Sequence, residues 1–486
     1  MQRKPWLNSN RTIQRSIRTG SSVISPFTLT GKASDAIGID HVEVVLNGGT
    51  VQLATLGTFA DGKVPFSLAG LLPENGQNTL AITAVDTSGN RSAVFHLSVK
   101  YLNNRPEFAG SYNGLLVPAV TPALNLSGRL NLKVTSAGTF SGSVLLGGFK
   151  VPLSGIFGND GQAHFKPSFE TSRALVGKPG SVALGTLELS VATEPVLGAR
   201  ITGTLKSDPN TVAANVSAPR NYFDGLTPLT TVDTRYTQQN KGKFTVVFPA
   251  KAQGVTPTNA FPQGDGYANL TLTGTGSVKI VGKLADGTPF ATSAKLAADY
   301  SWPFYVALFG GQGSLAGSAT FDDAQADSDL SGSNFLWFRP AKLSSKYYPG
   351  GWPAGLQIDL LGAKYSKPVG ASILPGLGPT DPVNGNATLV LNDGKLTGPL
   401  SKNANIDPAN VVTNAPASDK SFKLKLNASN GQISGNFQHT DLTKPTFNGI
   451  ILQKGANAGG FGFFLSKVPR TPGATGESGG VSLEAK

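Results

Sequence analysis

The sequence predicts an all-β fold, and three observations carry that prediction. The 486 residues include 60 Gly and 32 Pro but only 14% charged residues, a balance typical of β-rich proteins with many turns. Short runs in which Val, Thr and Leu alternate with polar residues recur along the chain. No window of about 12 residues spaces its apolar side chains like a helix without an interrupting Gly or Pro. We therefore expect an N-terminal β-sandwich followed by two or three antiparallel β-barrel or sandwich units built from repeated meanders.

Turn chemistry supports antiparallel hairpins throughout the chain. Asn-Gly and Asp-Gly dipeptides adopt positive φ at little cost, as the tight turns between antiparallel strands require. Asn-Gly begins at Asn47, Asn75, Asn113, Asn384, Asn430 and Asn448. We expect hairpin turns at these positions, and parallel α/β architecture is correspondingly disfavoured.

One unit occurs three times and organises the rest of the chain. In each copy an alternating strand runs through a Gly turn into a second strand, and a third strand follows. The copies are residues 130–157, 269–296 and 422–451, with turn glycines Gly138, Gly276 and Gly431. The copies share apolar alternation but no polar residue that could perform chemistry, so the unit predicts a scaffold.

Breaks in composition divide the chain into segments. Its 486 residues are enough for two to four domains, each with a core of its own. The segments are a basic arm (1–20), a sandwich (21–101), three β units (106–218, 221–365 and 383–467) and a tail (468–486). The tail is mostly Gly, Ser, Pro and charged residues, so we expect it to be flexible or to add one last edge strand.

The first domain resembles a known family. Residues 21–101 hold six or seven short alternating segments separated by turns, which predicts a sandwich of roughly 80 residues. The element Ala84-Val85-Asp86-Thr87-Ser88-Gly89-Asn90-Arg91-Ser92, with Gly31-Lys32-Ala33-Ser34-Asp35 before it, closely resembles the bacterial Ig-like repeats of large exported and cell-surface proteins. The resemblance implies an Ig-like sandwich that serves as a spacer or adhesive module and carries no catalytic residues.

The region 222–365 resembles an uncharacterised β-rich domain of large secreted proteins of environmental bacteria, often found downstream of Ig-like repeats. The matching elements are Gly266-Tyr267-Ala268, Leu284-Ala285-Asp286-Gly287-Thr288, Trp302-Pro303, Gly313-Ser314-Leu315-Ala316-Gly317 and Tyr348-Pro349-Gly350. This resemblance implies export and a β-rich architecture and leaves the activity open.

Charge and the absence of targeting signals restrict where the protein is expected in or outside the cell. Of the net charge of +12, six basic residues precede the first acid, Asp35: Arg3, Lys4, Arg11, Arg15, Arg18 and Lys32. Such an arm binds phosphates, anionic polysaccharide or an acidic membrane surface, or it is simply a solubilising terminus. The start lacks the apolar run of a signal peptide, and no stretch approaches the roughly 20 apolar residues of a membrane helix. We expect an extracellular or cell-surface protein whose signal peptide lies outside this chain.

Aromatic residues form the most suggestive candidate site. Six rings fall close together in sequence: Trp302, Tyr305, Trp337, Tyr347, Tyr348 and Trp352. Rings on a β surface stack against the apolar faces of sugars, which predicts a ligand-binding patch. Alternation in WPFYVALF and NFLWF instead favours a core position for Trp302 and Trp337. The Pro- and Gly-rich surroundings of Tyr347, Tyr348 and Trp352 leave both interpretations open.

Acidic residues form a second candidate. Asp327-x-Asp329-x-Ser331-Gly332 matches the opening of a calcium loop, which needs oxygen ligands at alternate positions. The twelfth position is Phe338 and supplies no bidentate carboxylate, so a solvated hairpin loop is the favoured interpretation. No distant carboxylate pairs with these acids as a glycosidase requires.

Other kinds of site find little support in the sequence. The absence of Cys excludes disulfides and thiolate ligands, and the four His have no metal-binding spacing. Beyond the arm, no basic stripe is interleaved with aromatic residues, so no nucleic-acid partner and no cofactor are expected.

We therefore expect a non-catalytic extracellular or cell-surface module for adhesion or glycan binding, with polysaccharide or another surface protein as partner. One alternative is a structural subunit of a surface layer or filament that self-associates through strand edges and the arm. Another is a polysaccharide-active enzyme, for which no acid/base constellation is visible.

Overall fold

The chain folds into β-structure almost throughout. This computed structural model describes residues 6–7, 20–23, 25–176, 183–195, 198–223, 227–229, 242–249 and 259–486. Strands account for 58% of the structure and helices for 3%, with no helix of 7 or more residues. The helical turns are 3-10 turns at Pro106–Phe108, Leu124–Leu126, Phe309–Gly311 and Gly455–Asn457. The predicted all-β class is confirmed.

The N-terminal domain is a sandwich of two sheets. Its strands are β1 (Trp6–Leu7), β2 (Ser21–Val23), β3 (Phe27–Ser34), β4 (Ile39–Leu46), β5 (Val51–Leu53), β6 (Thr55–Leu56), β7 (Val64–Leu71), β8 (Gly76–Asp86) and β9 (Phe95–Tyr101). One sheet has the order β1-β3-β7-β6 and the other β2-β9-β8-β4-β5. Alternate side chains of both sheets, such as Leu29 and Val42, point into a shared core.

The next sheet curls into the first of three nearly closed barrels, named here barrel 1. Its strands are β10 (Gly110–Pro118), β11 (Gly128–Val134), β12 (Thr139–Leu146), β13 (Phe149–Phe157), β14 (Ala163–Phe165), β15 (Ser172–Val176), β16 (Ala183–Glu194), β17 (Gly198–Asp208) and β18 (Thr211–Pro219). The order is β14-β13-β12-β11-β10-β18-β17-β16-β15, so the first and last strands pair and the barrel opens between β14 and β15.

Barrel 2 repeats this plan with eight strands. They are β19 (Lys243–Phe248), β20 (Gly266–Leu272), β21 (Ser277–Lys283), β22 (Pro289–Lys295), β23 (Ser301–Leu308), β24 (Gly313–Phe321), β25 (Leu330–Arg339) and β26 (Trp352–Lys364). The order β22-β21-β20-β19-β26-β25-β24-β23 again pairs the first and last strands. The opening lies between β22 and β23.

Barrel 3 uses the same plan a third time. Its strands are β27 (Ala387–Asp393), β28 (Leu400–Ile406), β29 (Val412–Ala415), β30 (Phe422–Asn427), β31 (Gln432–Phe437), β32 (Thr446–Leu452), β33 (Gly459–Leu465) and β34 (Ser478–Ala485). The order is β29-β28-β27-β34-β33-β32-β31-β30. β34 lies between β27 and β33, which differs from the flexible tail or edge strand expected for 468–486. Its buried Val481 and Leu483 explain the difference, because they complete the barrel core.

The repeated unit is confirmed as a three-stranded meander, but its place in the barrel changes. The copies form β11 to β13, β20 to β22 and β30 to β32. The first two copies are the second to fourth strands of their barrels, whereas the third copy supplies the fourth to sixth strands of barrel 3. The meander is therefore a local folding unit that the barrel accepts at more than one position.

The Gly turn of the first copy contacts the N-terminal sandwich. Asn75, which is 5% exposed, donates from Nδ2 to the carbonyl oxygens of Ala137 (3.0 Å) and Phe157 (2.9 Å). A Cβ atom at Gly138 would lie 2.7 Å from that nitrogen. The side chain at position 138 must therefore be absent for the two domains to dock as they do.

At the other two junctions, the Gly turn of the second or third copy packs against the segment that precedes its barrel. In barrel 2, a Cβ atom at Gly276 would lie 2.5 Å from Phe223, which comes from the segment entering the barrel. In barrel 3, a Cβ atom at Gly431 would lie 2.8 Å from the ring of Tyr365. Asn269 of barrel 2 also donates to the carbonyl oxygen that precedes Gly431, at 2.6 Å. Three domain junctions thus use one kind of hairpin.

Candidate functional site

Barrel 3 contains the candidate site, a groove where its sheet does not close. The groove has a volume of about 670 Å³ and lies between β29 and β30. We call it the seam groove. It is lined by Asn410, Val412, Thr413, Asn414, Ala417, Lys420, Phe422, Lys423, Leu424, Lys425 and Leu426. β29 pairs only with β28, and β30 only with β31, in the part of the chain that the structure describes.

The backbone of β30 leaves hydrogen-bonding groups in the groove. Asn427 directs its carbonyl oxygen toward β31, because that oxygen accepts the N–H of the turn residue Gly431 at 2.9 Å. Successive residues of an antiparallel strand direct their backbone groups to opposite sides. Leu426 and Leu424 therefore direct their N–H and C=O groups away from β31 and into the groove.

The backbone of β29 does the same from the other side. The N–H of Asp407 donates to the carbonyl oxygen of Val411 at 3.1 Å, so Val411 faces β28. By the same alternation, the backbone groups of Val412 and Asn414 face the groove. The groove is thus bordered on both sides by ladder groups that have no strand partner among the described residues.

Side chains give the groove two chemically different walls. Lys423 and Lys425 are exposed on the outer face of β30, while Leu424 is 6% exposed and points into the barrel. Lys420 adds a third cation at the loop. No acid lines the groove, and neither Lys423 nor Lys425 makes an ion pair with any described residue. The outer wall is therefore basic and the inner wall apolar.

Asn414 closes one end of the groove. Its Nδ2 atom donates to the carbonyl oxygens of Phe422 (3.1 Å) and Asp419 (2.5 Å). The contact to Phe422 agrees with the alternation above, since Phe422 lies in phase with Leu424. The groove consequently opens from this tie toward Leu426 and Val412.

Hydrogen bonds also bridge the openings of the other two barrels. In barrel 1, the N–H of Phe165 donates to the carbonyl oxygen of Glu170 at 2.8 Å. In barrel 2, Thr292 donates through its hydroxyl to the carbonyl oxygen of Tyr305 at 2.7 Å. These bonds join the two edges of each opening near the point where they meet.

The structure buries most of the aromatic residues that the sequence nominates. Trp302, Trp337, Tyr348 and Trp352 are at most 3% exposed and belong to the core of barrel 2. The core position favoured by alternation for Trp302 and Trp337 agrees with this placement. None of the four presents a ring face to solvent in this arrangement.

Tyr305 and Tyr347 lie at contacts between domains. Tyr305 packs with Leu115 of barrel 1, and burial raises its pKa to about 12. Tyr347 packs against the core of barrel 2, and its hydroxyl donates to the carbonyl oxygen of Ser466 in barrel 3 at 3.0 Å. Both rings therefore serve the packing of neighbouring barrels.

The loop aromatics Tyr348 and Trp352 lie beside a buried ion pair. Arg339 pairs with Asp286, whose side chain is 0% exposed. The guanidinium carbon lies 5.4 Å from the ring centroid of Trp352 and 6.0 Å from that of Tyr348. A cation desolvated at the end of the barrel is stabilised by aromatic faces, so these rings cover the ion pair.

The acids nominated as metal ligands instead join barrels 2 and 3. Asp329 accepts a hydrogen bond from the Lys454 ammonium at 2.7 Å and from the N–H of Lys364 at 2.7 Å. Asp327 accepts the N–H of Ala456 at 2.7 Å. Both carboxylates thus have protein donors. No group of three or more His, Asp or Glu side chains that could hold a metal occurs among the described residues.

Sequence reasoning missed the seam groove. Its signal is the alternation in Phe422-Lys423-Leu424-Lys425-Leu426, which shows a strand with one basic and one apolar face. The pattern does not reveal that one edge of this strand lacks a partner, because pairing depends on residues distant in sequence. The basic arm 1–20 lies largely outside the described residues.

The chain matches no protein-family model, and no curated protein matches it at a significant level. Within the described ranges, no helix is long and apolar enough to cross a membrane. The geometry of the chain itself is therefore the basis for assigning a function.

Proposed function

We propose that the protein is a non-catalytic extracellular or cell-surface module for adhesion, and that the seam groove is its contact with a partner. The seam groove is the observation that carries this proposal. It combines cations, amide side chains and backbone groups without a strand partner, all of which bind by complementarity and none of which requires a reaction. The buried aromatic rings do not enter the proposal.

The docking of the domains supports an adhesive role. Each domain is fixed to the next by hydrogen bonds or ion pairs, such as Asn75 on barrel 1 and Lys454 on Asp329. An apolar cluster that includes Val247 of barrel 2 and Ile450 of barrel 3 adds to the last junction. A groove on barrel 3 is thereby held in a defined orientation relative to the sandwich at the other end of the chain.

Binding to an immobilised sample of the protein tests the proposal. We expect retention of anionic cell-surface polysaccharide or of purified cell-surface protein, reduced at least tenfold in the Lys423→Glu/Lys425→Glu variant. Lys133→Glu is the matched control, because Lys133 is exposed at the corresponding position of the first repeat, on a strand paired on both sides. Retention that is equal in both variants contradicts the proposal.

A second candidate is a subunit of a surface layer or filament, and one observation favours it. Residues of the arm, Trp6 and Leu7, pair as β1 with Ser34 and Ala33 at the edge of β3. The arm is thus able to add as a strand, and the same pairing between copies would link subunits. Electron microscopy of the protein with and without residues 1–20 tests this, and dispersed particles in both samples contradict it.

A further inference from the structure

We infer that the seam groove binds an extended, acidic polypeptide segment, which adds as a strand to the free edge of β30. This inference rests on the proposed function, since it takes the seam groove as the contact surface, and it names the chemistry of the partner. The occupant is a segment of about six residues in extended conformation, the length of β30 itself.

The backbone of β30 supplies the first argument. Leu424 and Leu426 each direct an N–H and a C=O into the groove, and neither group has a strand partner among the described residues. An edge strand of this kind is a template for main-chain pairing with another chain. An added strand would satisfy these groups and would continue the ladder that stops at β30.

The side chains supply the second argument, which sets the sequence of the partner. Lys423 and Lys425 lie on the outer face of β30 and are roughly 7 Å apart, two residues along a strand. Side chains of an added strand alternate in the same way, so every second one would lie beside these ammonium groups. Opposite charges in such cross-strand positions stabilise the pair. Acidic residues at alternate positions therefore complement the outer wall.

The inner wall specifies the intervening residues. Leu424, Leu426 and Val412 border the groove on the side of the barrel core. Side chains of the added strand that point inward meet this apolar surface, where burying polar groups without partners is unfavourable. The preferred segment therefore alternates acidic residues with small apolar residues such as Val.

An anionic polysaccharide is the competing occupant, and backbone chemistry separates the two. A polysaccharide carries negative charge for Lys423 and Lys425 but has no regular N–H and C=O ladder for Leu424 and Leu426. A peptide satisfies both sets of groups. Blocking the backbone of the peptide while keeping its charges should therefore abolish binding only if a strand is added.

The test measures the affinity of the full-length protein for the capped peptide Val-Glu-Val-Glu-Val-Thr by isothermal titration calorimetry. We expect saturable binding that weakens at least tenfold in Lys423→Gln/Lys425→Gln and stays unchanged in Lys133→Gln. The same peptide with N-methyl groups at alternate residues keeps its charge, and we expect it to bind at least tenfold more weakly. Equal binding of the methylated peptide overturns strand addition.

Hydrogen exchange of the unmodified protein provides a readout that does not depend on a variant folding. We expect the amide protons of Leu424 and Leu426 to exchange rapidly in the free protein and at least tenfold more slowly with the peptide. The amide protons of Lys423 and Lys425, which face β31, should be protected in both states. Unchanged exchange at Leu424 and Leu426 with saturating peptide overturns the inference.

The outcomes also separate this inference from the proposed function. If an anionic polysaccharide binds the groove in a Lys423-dependent and Lys425-dependent manner and the peptide does not bind, the inference fails while the groove remains a contact surface. If neither peptide nor polysaccharide depends on these lysines, both fail.

Discussion

The ring of His41 shows how a single residue links pH to the stability of the sandwich. Its Nδ1 lies 2.6 Å from Asp40 and its Nε2 lies 3.4 Å from Glu43. The hydrogen bond to Asp40, with a smaller contribution from Glu43, raises the pKa of His41 above its ordinary value of 6.5 despite partial burial. The protonated ring is therefore more stable in the folded domain than in the unfolded chain.

We predict that this stabilisation is present at pH values below 6.5, the ordinary pKa, and is lost as the pH rises through the raised pKa. Its size is at most about 1 kcal/mol, because the pair is partly exposed and screened. Calorimetric unfolding at pH 5.5 and pH 8.5 measures it, and His41→Asn should remove the difference that this residue contributes. His96→Asn, which alters an exposed ring on the same sheet, is the control and should leave it in place.

Single residues also show where sequence reasoning stops. Asn47 and Asn430 lie in hairpin turns, as expected of Asn-Gly, whereas Asn113 and Asn448 lie inside β10 and β32. Asn75 and Asn384 lie in loops between strands that do not pair, so the hairpin expected at each is wrong. In β10 and β32 glycine is required for a different reason, the close approach of a neighbouring strand. A Cβ atom at Gly114 would lie 2.2 Å from the carbonyl oxygen of Ser217 on the neighbouring strand. One dipeptide thus serves either a turn or a close approach of strands, and only the tertiary structure decides which.

At the scale of an element, the Gly turn of barrel 1 requires glycine for two reasons, the backbone conformation of the turn and the docking of the sandwich. Gly138 has φ 76° and Gly473 has φ 78°, so both lie in the left-handed region that disfavours a side chain by about 1–2 kcal/mol. They differ in surroundings. A Cβ atom at Gly138 would meet Asn75, whereas one at Gly473 would meet nothing within 4 Å.

We predict that Gly138→Ala destabilises barrel 1 by about 1–3 kcal/mol beyond the backbone strain, because Asn75 must leave the buried carbonyl oxygen of Phe157 and the partly buried one of Ala137 unpaired. Gly473→Ala should show the strain alone. Hydrogen exchange followed by mass spectrometry measures the loss of protection over residues 130–157 for Gly138→Ala and over residues 459–485 for Gly473→Ala. An equal loss of protection in the two variants, each over its own segment, would show that Asn75 adds nothing to the cost of a side chain at the turn.

The last strand provides a second prediction at this scale. Leu483 is fully buried in β34 and its neighbour Glu484 is exposed on the opposite face. We expect Leu483→Ala to reduce the free energy of unfolding of barrel 3 by about 2–5 kcal/mol. Glu484→Ala should change it by no more than about 0.5 kcal/mol. Denaturant unfolding of both variants, monitored by hydrogen exchange in barrel 3, distinguishes them; similar values would mean that β34 is loosely held.

The meanders were predictable because their information is local. Alternation and a turn residue within about 30 residues define β11 to β13, β20 to β22 and β30 to β32. The position of β34 was not predictable, because Gly-rich composition hides the short apolar alternation of Val481 and Leu483. Its partners, β27 and β33, are selected by the closing of the barrel and not by any neighbouring residue.

The candidate site residues also divide into those predictable from local sequence and those that depend on distant residues. The sequence indicated the burial of Trp302 and Trp337, since both lie in alternating strands. It did not indicate the burial of Tyr348 and Trp352 in a Pro- and Gly-rich loop, because local composition does not show that these rings join the core of barrel 2 beside the Arg339–Asp286 pair. The seam groove was not predicted for a related reason. A strand is an edge strand because no other strand pairs with it, and pairing is not visible in the strand's own sequence.

At the scale of the whole molecule, the junction between barrels 2 and 3 determines whether the two unfold together. Asp329 has a side chain that is 5% exposed and pairs with Lys454. We predict that Lys454→Met destabilises the junction by about 1–3 kcal/mol, because a buried carboxylate loses a charged donor. Differential scanning calorimetry should then resolve separate transitions for the two barrels, or a wider spacing between them.

The matched control is Lys444→Met, which removes an exposed lysine in barrel 3. It should leave the calorimetric profile within experimental error of the unaltered protein. If Lys454→Met behaves in the same way, the ion pair does not couple the barrels, and the apolar cluster around Val247 and Ile450 alone would account for their contact.

The pairing of first and last strands in every barrel has a mechanical consequence. Ala387 at the start of β27 lies opposite Ala485 at the end of β34, and Phe244 lies opposite Lys364 in the same manner. Tension along the chain would therefore reach each barrel at two adjacent points on one antiparallel ladder. It would open that ladder one hydrogen bond at a time instead of shearing all of them together. Under load, each barrel would thus act as an extensible link that lengthens before the covalent chain is strained.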